Sequence, residues 1–273
     1  MKWSIGIYAG KDFCNLKDYT NNPVLTAYDV TNIKASFVAD PFMVHHNHKW
    51  IIFFEAKDQT ARNGKSKGFI GCAESNDLIT WKYIGTALID NFHLSYPYVF
   101  KHNNDFFMIP DCSSTGSVKL YVAIDFPLKW KHVKDLISGN TFVDTSPFYY
   151  NGKWWFFTSC KNKLLYLYYA DDLTGKWSPH SENPVVSDSS CARPGGRIIE
   201  INNKIIRFGQ NCSQRYGAGL SAFNINILDT LYYSEEKICD VLYPSKSQWC
   251  RNATHHIDLH KIDNKFIACI DGW

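Results

Sequence analysis

Four carboxyl side chains occupy corresponding places in short apolar segments of the sequence. Asp40 and Asp144 stand just before the prolines of two such segments, whereas Glu55 and Asp111 each end an apolar run. Carboxyl groups held close together take different pKa values, so that one serves as base or nucleophile and another as acid. We expect Asp40 to act as base or nucleophile with Asp144 as its partner, and Glu55 or Asp111 to donate a proton or modulate a pKa.

Polar and aromatic residues at matching places are candidates for binding the molecule on which these carboxyl groups act. A guanidinium group pairs with an anion through two parallel hydrogen bonds, and a tyrosine offers a ring face for stacking and a hydroxyl for hydrogen bonding. Tyr98 is a further candidate for stacking, because it lies close to Tyr96 in the chain. The predicted ligand contacts are Tyr96, Arg193, Arg197, Gln210, Tyr216 and His256.

These residue types also have a structural interpretation. Asp40 and Asp144 suit the starts of strands, where an aspartate accepts hydrogen bonds from nearby backbone N–H groups. Glu55 and Asp111 suit solvated loops, the two arginines suit pairing with acidic neighbours, and a single histidine is more often a hydrogen-bonded structural residue than a base. Only a shared position in a repeat favours a site, so the elements that carry the residues decide between the interpretations.

A repeat of about fifty residues organises the chain. Four segments, from Val38, Leu94, Asp144 and Ala192, each contain a proline, an apolar run, a polar turn, a second apolar run and a polar end, and a weaker fifth begins at His255. Their prolines, Pro41, Pro97, Pro147 and Pro194, are 56, 50 and 47 positions apart. Two β-rich runs around a tight polar turn predict a hairpin, and this period is typical of the four-stranded blades of a β-propeller.

The repeats predict an all-β fold, a five-bladed β-propeller formed by residues 1–273 as a single domain. The fifth hairpin lacks two outer strands, which we expect the N-terminal runs WSIGIY and PVLTAYDV to supply, so that the ring closes without exposed edges. In a propeller, the starts of first strands and the ends of second strands meet at one mouth of the axial channel. The candidate residues, together with His255 and Asp271, are therefore predicted to converge there.

Composition excludes several classes of partner. The chain has 273 residues, with 29 Lys+Arg against 26 Asp+Glu and no long basic run, so we expect no nucleic-acid partner. No segment has the length and apolar character of a membrane span or a signal peptide. Nine cysteines without a C-x-x-C pair predict reduced thiols in a cytoplasmic protein. Motifs for phosphate loops, dinucleotide binding and serine hydrolases are missing, and we expect neither a cofactor nor a dedicated metal site.

Several phrases in the chain resemble known carbohydrate-active proteins. VADPFMV, FFEAK and IGCAESNDLITW resemble the first blade of glycoside hydrolase family 43, a resemblance that implies a general base or nucleophile at Asp40. HLSYPYVF, FFMIPD, VDTSPFYYNGKWWFF, ENPVVSDSSCARPGGRI, GQNCSQRYG and DGW resemble the N-terminal propeller of plant glucosamine inositolphosphorylceramide transferases and of bacterial surface-glycan proteins. The chain departs from family 43 at two positions: Tyr96 replaces an aspartate before the blade-two proline, and Asp144 stands where blade three carries a glutamate.

The resemblance implies an enzyme that transfers a glycosyl unit in surface-glycan biosynthesis, with a sugar substrate, a nucleotide-sugar donor and a glycan acceptor as partners. Stacking by the tyrosines would then be stacking on a sugar ring. Two alternatives stay open: a family 43-like glycoside hydrolase and a sugar-binding propeller without chemistry, which the missing blade-two aspartate favours. A cation in the channel near His256, as in some relatives, also stays open.

Overall fold

The computed structural model describes residues 3–60, 67–160, 164–244 and 249–273. Its regular structure is almost entirely antiparallel strands. Within the described ranges, the helices are single 3₁₀ turns at Phe13–Asn15, Ala27–Asp29 and Ser113–Thr115. None of the helices in these ranges is long and apolar enough to cross a membrane.

The strands follow one another along the chain in the order that the repeats predict. The first two are β1 (Ser4–Gly10) and β2 (Lys17–Asp18). The next eight are β3 (Ala35–His46), β4 (Lys49–Asp58), β5 (Gly68–Ser75), β6 (Lys82–Leu88), β7 (Ser95–His102), β8 (Asp105–Asp111), β9 (Ser117–Asp125) and β10 (Lys129–Ser138). The remainder are β11 (Val143–Tyr150), β12 (Lys153–Ser159), β13 (Leu165–Ala170), β14 (Ser178–Pro179), β15 (Arg193–Pro194), β16 (Ile199–Ile201), β17 (Lys204–Gln210), β18 (Leu220–Leu228), β19 (Tyr233–Leu242), β20 (Ile257–Ile262) and β21 (Lys265–Gly272).

These strands form five sheets, the blades of a propeller. Blades one to three are β3–β6, β7–β10 and β11–β14 in sequential order, and blade four is β15 and β16 followed by β17, β18 and β19. Blade five has the order β20, β21, β1, β2, so the N-terminal strands complete the last blade and close the ring. The predicted five-bladed all-β fold is confirmed.

One detail of ring closure was predicted wrongly. WSIGIY forms β1, which pairs with β21 as expected, but PVLTAYDV forms no strand. Leu25 makes an isolated bridge with Ile5, and Ala27–Asp29 is a 3₁₀ turn capped by Thr26. The outermost strand of blade five is instead the short β2, because the run from Pro23 folds back over the seam between blades five and one.

Apolar side chains pack between neighbouring blades. Blades five and one share a cluster that includes Ile7, Met43 and Phe54, and each of the four other seams has a cluster of its own. Fully burying such a side chain contributes about 1.5–3 kcal/mol. The aromatic residues Trp155 and Phe156 belong to these seams, so blade-to-blade packing accounts for much of the aromatic content.

The first strands of blades one, two and three are interrupted by a bulge at the same place. Asp40, Tyr96 and Asp144 have positive φ angles of 52°, 43° and 54°, a conformation that non-glycine residues rarely adopt. The strand register shifts at each of them. Thr145, rather than Pro147, therefore takes the place of Pro41, so the sequence alignment of the prolines is wrong by two residues in blade three.

The prediction that all cysteines are reduced is also wrong. Cys14 and Cys239 form a disulfide that links the 3₁₀ turn after β1 to β19, across the seam between blades five and four. The seven other cysteines form no disulfide, and all except Cys212 are buried. Since disulfides are rare in reducing compartments, the argument from reduced thiols for a cytoplasmic location no longer holds.

Candidate active site at one mouth of the propeller

The bulges and the ends of the second strands meet at one mouth of the channel. Each second strand carries a buried polar residue at its end or within three residues of it. They are Glu55, Asp111, Ser159, Gln210 and Asp271. Asp40 and Asp144, from the bulges, lie among them and are only 6% and 2% exposed. The structure thus brings together the four carboxyl groups that were predicted to be catalytic.

Carboxylates connect each bulge to a neighbouring blade. Asp271 Oδ2 accepts the Asp40 N–H at 3.1 Å, and Asp111 Oδ2 accepts the Asp144 N–H at the same distance. Asp40 Oδ2 in turn accepts the Tyr96 N–H at 3.2 Å. A bulge turns a backbone N–H out of the strand ladder, and a buried donor needs a partner. These carboxylates supply it, so the strained backbone and the acidic mouth depend on each other.

His255 bridges two of these carboxylates. Its Nε2 lies 3.0 Å from Asp40 Oδ1 and its Nδ1 lies 3.0 Å from Asp271 Oδ1. Burial alone lowers the pKa of the imidazole, but the two carboxylates outweigh it and raise the pKa to about 10. Burial likewise opposes ionisation of Asp40, yet His255 lowers its pKa to about 2. The pair is therefore an imidazolium next to a carboxylate at neutral pH.

The other carboxyl groups at the mouth are harder to ionise. Burial, reinforced by the charge of Asp40, raises the pKa of Glu55 well above its ordinary value. Burial also raises the pKa of Asp111. Burial raises the pKa of Asp144 to about 6, although the positive charge of Arg193 acts to lower it. Asp144 is therefore mostly ionised at pH 7.

Two predicted ligand contacts hold Asp144. Arg193 Nε donates to Asp144 Oδ2 at 2.6 Å, and Gln210 Nε2 donates to the same oxygen at 2.8 Å. The Arg193 side chain is 28% exposed, and its guanidinium lies 5.2 Å from the ring centroid of Tyr216. Tyr216 is 48% exposed. Arg193 and Tyr216 therefore reach the mouth, whereas Gln210 is buried beneath them.

An aromatic rim beside Tyr216 was not predicted. The Trp3 ring centroid lies 4.4 Å from that of His255, 6.0 Å from that of Tyr216 and 6.4 Å from that of Trp273. Trp3 and Trp273 come from opposite ends of the chain, Trp3 from the run WSIGIY and Trp273 from the end of the fifth repeat. The only signal for them in the sequence was ring closure itself, which places the N-terminal strand against the C-terminal one.

Three predicted ligand contacts lie below the mouth, on the propeller axis. The Tyr96 hydroxyl reaches Ser146 Oγ at 2.8 Å and donates to Gly196 O at 3.1 Å. Arg197 Nε donates to the buried Asp258 at 2.6 Å, and His256 Nε2 lies 2.9 Å from Pro41 O. A role for Tyr96, Arg197 and His256 in ligand binding stays a prediction.

These side chains fill the axis. The Arg197 guanidinium stands 4.8 Å from the ring centroid of Tyr98 and 5.6 Å from that of Phe42, and the rings of Phe42 and His256 are in contact. Tyr98 is buried, so the predicted stacking role passes to Tyr216 and its neighbours. Asp258, which sequence reasoning missed, stands two residues further along blade five than His256 and anchors Arg197.

Asp40, His255 and Asp271 offer nitrogen and oxygen ligands of the type that divalent cations use. Within the described residues, their donor atoms lie within 4.8 Å of one another. A metal bound to a nitrogen of His255 would require the imidazolium to lose the proton on that nitrogen. The imidazolium thus already supplies a positive charge at this place.

Comparison with known proteins agrees with the architecture. The β-1,2-mannobiose phosphorylase of Listeria innocua matches with a TM-score of 0.71 at 12% identity, covering 97% of this chain and 96% of that one. An exo-β-1,3-galactanase from Clostridium thermocellum matches with a TM-score of 0.67 at 13% identity, covering 85% and 55%. At such identities the likeness concerns the fold.

Sequence comparison places the chain in a family. It is 31% identical over 300 residues to glucosamine inositolphosphorylceramide transferase 1 of Arabidopsis thaliana, covering 99% of this chain and 39% of the relative. The chain therefore spans about two fifths of the length of that protein. The family model described as "Glucosamine inositolphosphorylceramide transferase 1, N-terminal" matches residues 1–273, and the chain belongs to this family.

Proposed function

We propose that the chain is a carbohydrate-active enzyme domain that transfers a glycosyl unit in glycan biosynthesis, at the mouth formed by its carboxyl groups. The observation that carries the proposal is the contrast between two carboxyls of the same mouth. His255 keeps Asp40 ionised, whereas burial and the charge of Asp40 raise the pKa of Glu55 well above its ordinary value. Environments that push two carboxyl pKa values apart provide a base and an acid for one reaction.

Each group then has a step in the transfer. Asp40 takes the proton of an acceptor hydroxyl, whose oxygen bonds to the anomeric carbon of the donor sugar. The bond from that carbon to the leaving group breaks, and the Glu55 proton passes to the leaving oxygen. Asp144, held ionised by Arg193 and Gln210, stabilises positive charge on the sugar ring in the transition state.

The partners follow from the same groups. Arg193 donates to Asp144 through Nε and is partly exposed beside Tyr216, which suits an anionic group such as the diphosphate of a nucleotide sugar. Tyr216 offers a face for a sugar ring. The name of the plant relative, a glucosamine inositolphosphorylceramide transferase, supports transfer of a sugar, and water in place of the acceptor would make the same geometry a hydrolase.

A sugar-binding propeller without chemistry is the second candidate. Asp40, Asp111 and Asp271 each accept a backbone N–H from a buried bulge or turn, which is a structural use of carboxylates. Blade two carries Tyr96 at the bulge where blades one and three carry aspartates. Both observations are expected of a propeller that has kept the fold of an enzyme but no longer catalyses a reaction.

The test combines binding with turnover. Thermal unfolding is followed with UDP, UDP-N-acetylglucosamine, GDP-mannose and β-1,2-mannobiose, since a ligand of the native state raises its stability. Any stabilising sugar compound is then assayed for nucleotide release and hydrolysis. We expect a nucleotide sugar to stabilise the chain, and Asp40→Asn and Glu55→Gln to lower turnover at least about 100-fold while keeping the thermal shift.

The control is Asp105→Asn, an exposed aspartate at the start of β8, remote from the mouth in blade two. It should keep full turnover. Stabilisation without turnover of any of these compounds would favour the binding module. Full turnover in Asp40→Asn would rule out the proposed base.

A further inference from the structure

His93, on the segment that leads into β7, approaches Glu55 from the neighbouring blade. Its Nε2 lies 3.4 Å from Glu55 Oε1, and its Nδ1 lies 2.7 Å from the backbone nitrogen of Gly68. The His93 side chain is 35% exposed, whereas that of Glu55 is 9% exposed. His93 therefore stands between the buried carboxyl group and solvent.

The contact with Gly68 fixes where the proton of His93 lies. A backbone N–H only donates, so Nδ1 is the acceptor and the neutral imidazole carries its proton on Nε2. Lys57 Nζ lies 3.4 Å from the same nitrogen and brings a positive charge to that side of the ring. Burial and the Lys57 charge lower the pKa of His93 to about 4, so the ring is neutral at pH 7. Nε2, which then carries the proton, is the ring nitrogen that lies 3.4 Å from Glu55 Oε1.

Gly68 leaves space for this pair. A Cβ atom at position 68 would lie 2.8 Å from Glu55 Oε1, 2.7 Å from His93 Cε1 and 2.3 Å from Leu94 O. Contacts under 3.0 Å require neighbouring atoms to move. Absence of a side chain at Gly68 is therefore needed for both the carboxyl group and the imidazole to keep their places.

We infer that His93 is the positioning residue of Glu55: its Nε2–H holds Oε1, so that Oε2 carries the acidic proton towards the bound molecule. The inference rests on the proposed function of Glu55 as the acid. Among the described residues, Oε2 makes no hydrogen bond, which leaves it available to a ligand. At 3.4 Å the contact between Nε2 and Oε1 is a long one, so we expect the effect of His93 on the ionisation of Glu55 to be that of a single weak donor.

Charged groups from several elements face this pair. Asp40 and Asp111 make Glu55 harder to ionise, whereas Lys57 and His255 make it easier. Lys57 and Asp40 act in opposite directions on His93. Because His93 is neutral, it acts on Glu55 through the direction of one N–H rather than through charge.

The test uses the whole chain without substrate. Carbon-13 NMR of labelled glutamate side chains follows the titration of Glu55, whose resonance is identified by its loss in Glu55→Gln. We expect His93→Leu to raise the titration midpoint of Glu55 by about 0.7 unit, because the carboxylate loses a donor worth about 1 kcal/mol. His93→Gln keeps an N–H at the same reach and should stay within about 0.3 unit of the unmodified chain.

His45→Leu is the matched control, since His45 is exposed and stands at the far end of β3 from Asp40. It should leave the Glu55 midpoint unchanged. An unchanged midpoint in His93→Leu, or equal shifts in the Leu and Gln variants, would overturn the inference. Nitrogen-15 NMR of the unmodified chain gives a check that needs no variant, because a proton on His93 Nδ1 would overturn it as well.

The outcome is separable from that of the proposed function. If no sugar compound is turned over, the proposed function fails while the NMR shifts still show whether His93 orients Glu55. If turnover is found, His93→Leu should lower kcat and move the basic limb of the pH profile upward with the Glu55 midpoint. A merely structural role would lower activity without moving that limb.

Discussion

His255 Nε2 lies 3.0 Å from Asp40 Oδ1, so a buried imidazolium faces the carboxylate that is proposed as the base. The opposite nitrogen of the ring faces Asp271 Oδ1 at the same distance. A base whose pKa is about 2 is weak, but it is fully ionised over the physiological range. His255 therefore fixes the protonation state of the mouth.

The first prediction concerns the titration of His255. NMR of the imidazole should show it protonated at pH 8, with a midpoint near 10, and Asp40→Asn should lower that midpoint by at least about one unit because one of the two anions is removed. A midpoint near the ordinary histidine value of 6.5 in the unmodified chain would contradict the arrangement.

The free energy of unfolding should change with pH as His255 and Asp40 change their ionisation. The folded-state pKa of His255 is raised, so its contribution is complete below about pH 6.5 and is lost as the pH rises through about 10. The folded-state pKa of Asp40 is lowered, so its contribution is present above about pH 3.8 and is lost as the pH falls through about 2. Urea unfolding measured from about pH 2 to about pH 10 should show that Asp40→Asn loses less stability than the unmodified chain at both the acidic and the basic end.

The second prediction separates the two arginines. Arg197→Met should lower the free energy of unfolding by about 3 kcal/mol, because it removes the guanidinium partner of the buried Asp258. Arg193→Gln should cost about 1 kcal/mol or less, since Arg193 is partly exposed and Gln210 still donates to Asp144.

Arg193→Gln should reduce ligand affinity more than Arg197→Met does, although it reduces stability less. Arg193→Gln should weaken binding of UDP at least about tenfold, the effect of losing a charged hydrogen bond. Arg197→Met, measured well below its unfolding temperature, should bind UDP as the unmodified chain does. Equal loss of affinity in both variants would place Arg197 in the ligand site after all.

The third prediction concerns the channel axis. Tyr96→Phe keeps the ring contacts with Phe42 and His256 but loses the hydroxyl contacts with Ser146 and Gly196. We expect the free energy of unfolding to fall by about 1–2 kcal/mol, measured in urea, with little change in ligand affinity. A large loss of affinity at unchanged stability would support the ligand contact predicted from the sequence.

The fourth prediction concerns the disulfide. Alkylation of the denatured, non-reduced chain should leave Cys14 and Cys239 unlabelled and label the seven other cysteines. Cys14→Ser should lower the free energy of unfolding by about 2–4 kcal/mol, because the bond closes a long loop in the unfolded chain. The control is Cys212→Ser, which changes a partly exposed cysteine outside the disulfide and should leave the free energy of unfolding nearly unchanged.

The hairpins could be predicted because their information is local. Alternating apolar residues on either side of a polar turn set the register within one repeat, and the ring of polar strand ends follows from repeating it. Glu55, Asp111 and Asp271 were therefore placed correctly from the sequence. His93 was missed because its contact with Glu55 depends on how blades one and two pack, and Gly68 was missed because it lies on the third strand of blade one, outside the hairpin that carries Glu55.

Other details depended on geometry that residue types do not encode. The bulge at Asp144 comes before Ser146 and Pro147, so proline positions misaligned blade three. Cys14 and Cys239 are separated by 225 residues and meet only where two blades touch. Asp258, in the fifth repeat, was not singled out from the sequence, and it holds Arg197 on the axis, while the ligand contact predicted for Arg197 stays a prediction.

The hydrogen bond from the Asp40 N–H to Asp271 joins residues that are 231 positions apart. During synthesis on the ribosome, blade one emerges long before the strand that carries Asp271. Until that strand docks beside β1, the Asp40 bulge lacks its acceptor and His255 is absent from the mouth. A nascent chain with four finished blades would thus hold Asp40 without either partner, and the proposed base would gain its backbone acceptor and its counter-ion only when β21 docks.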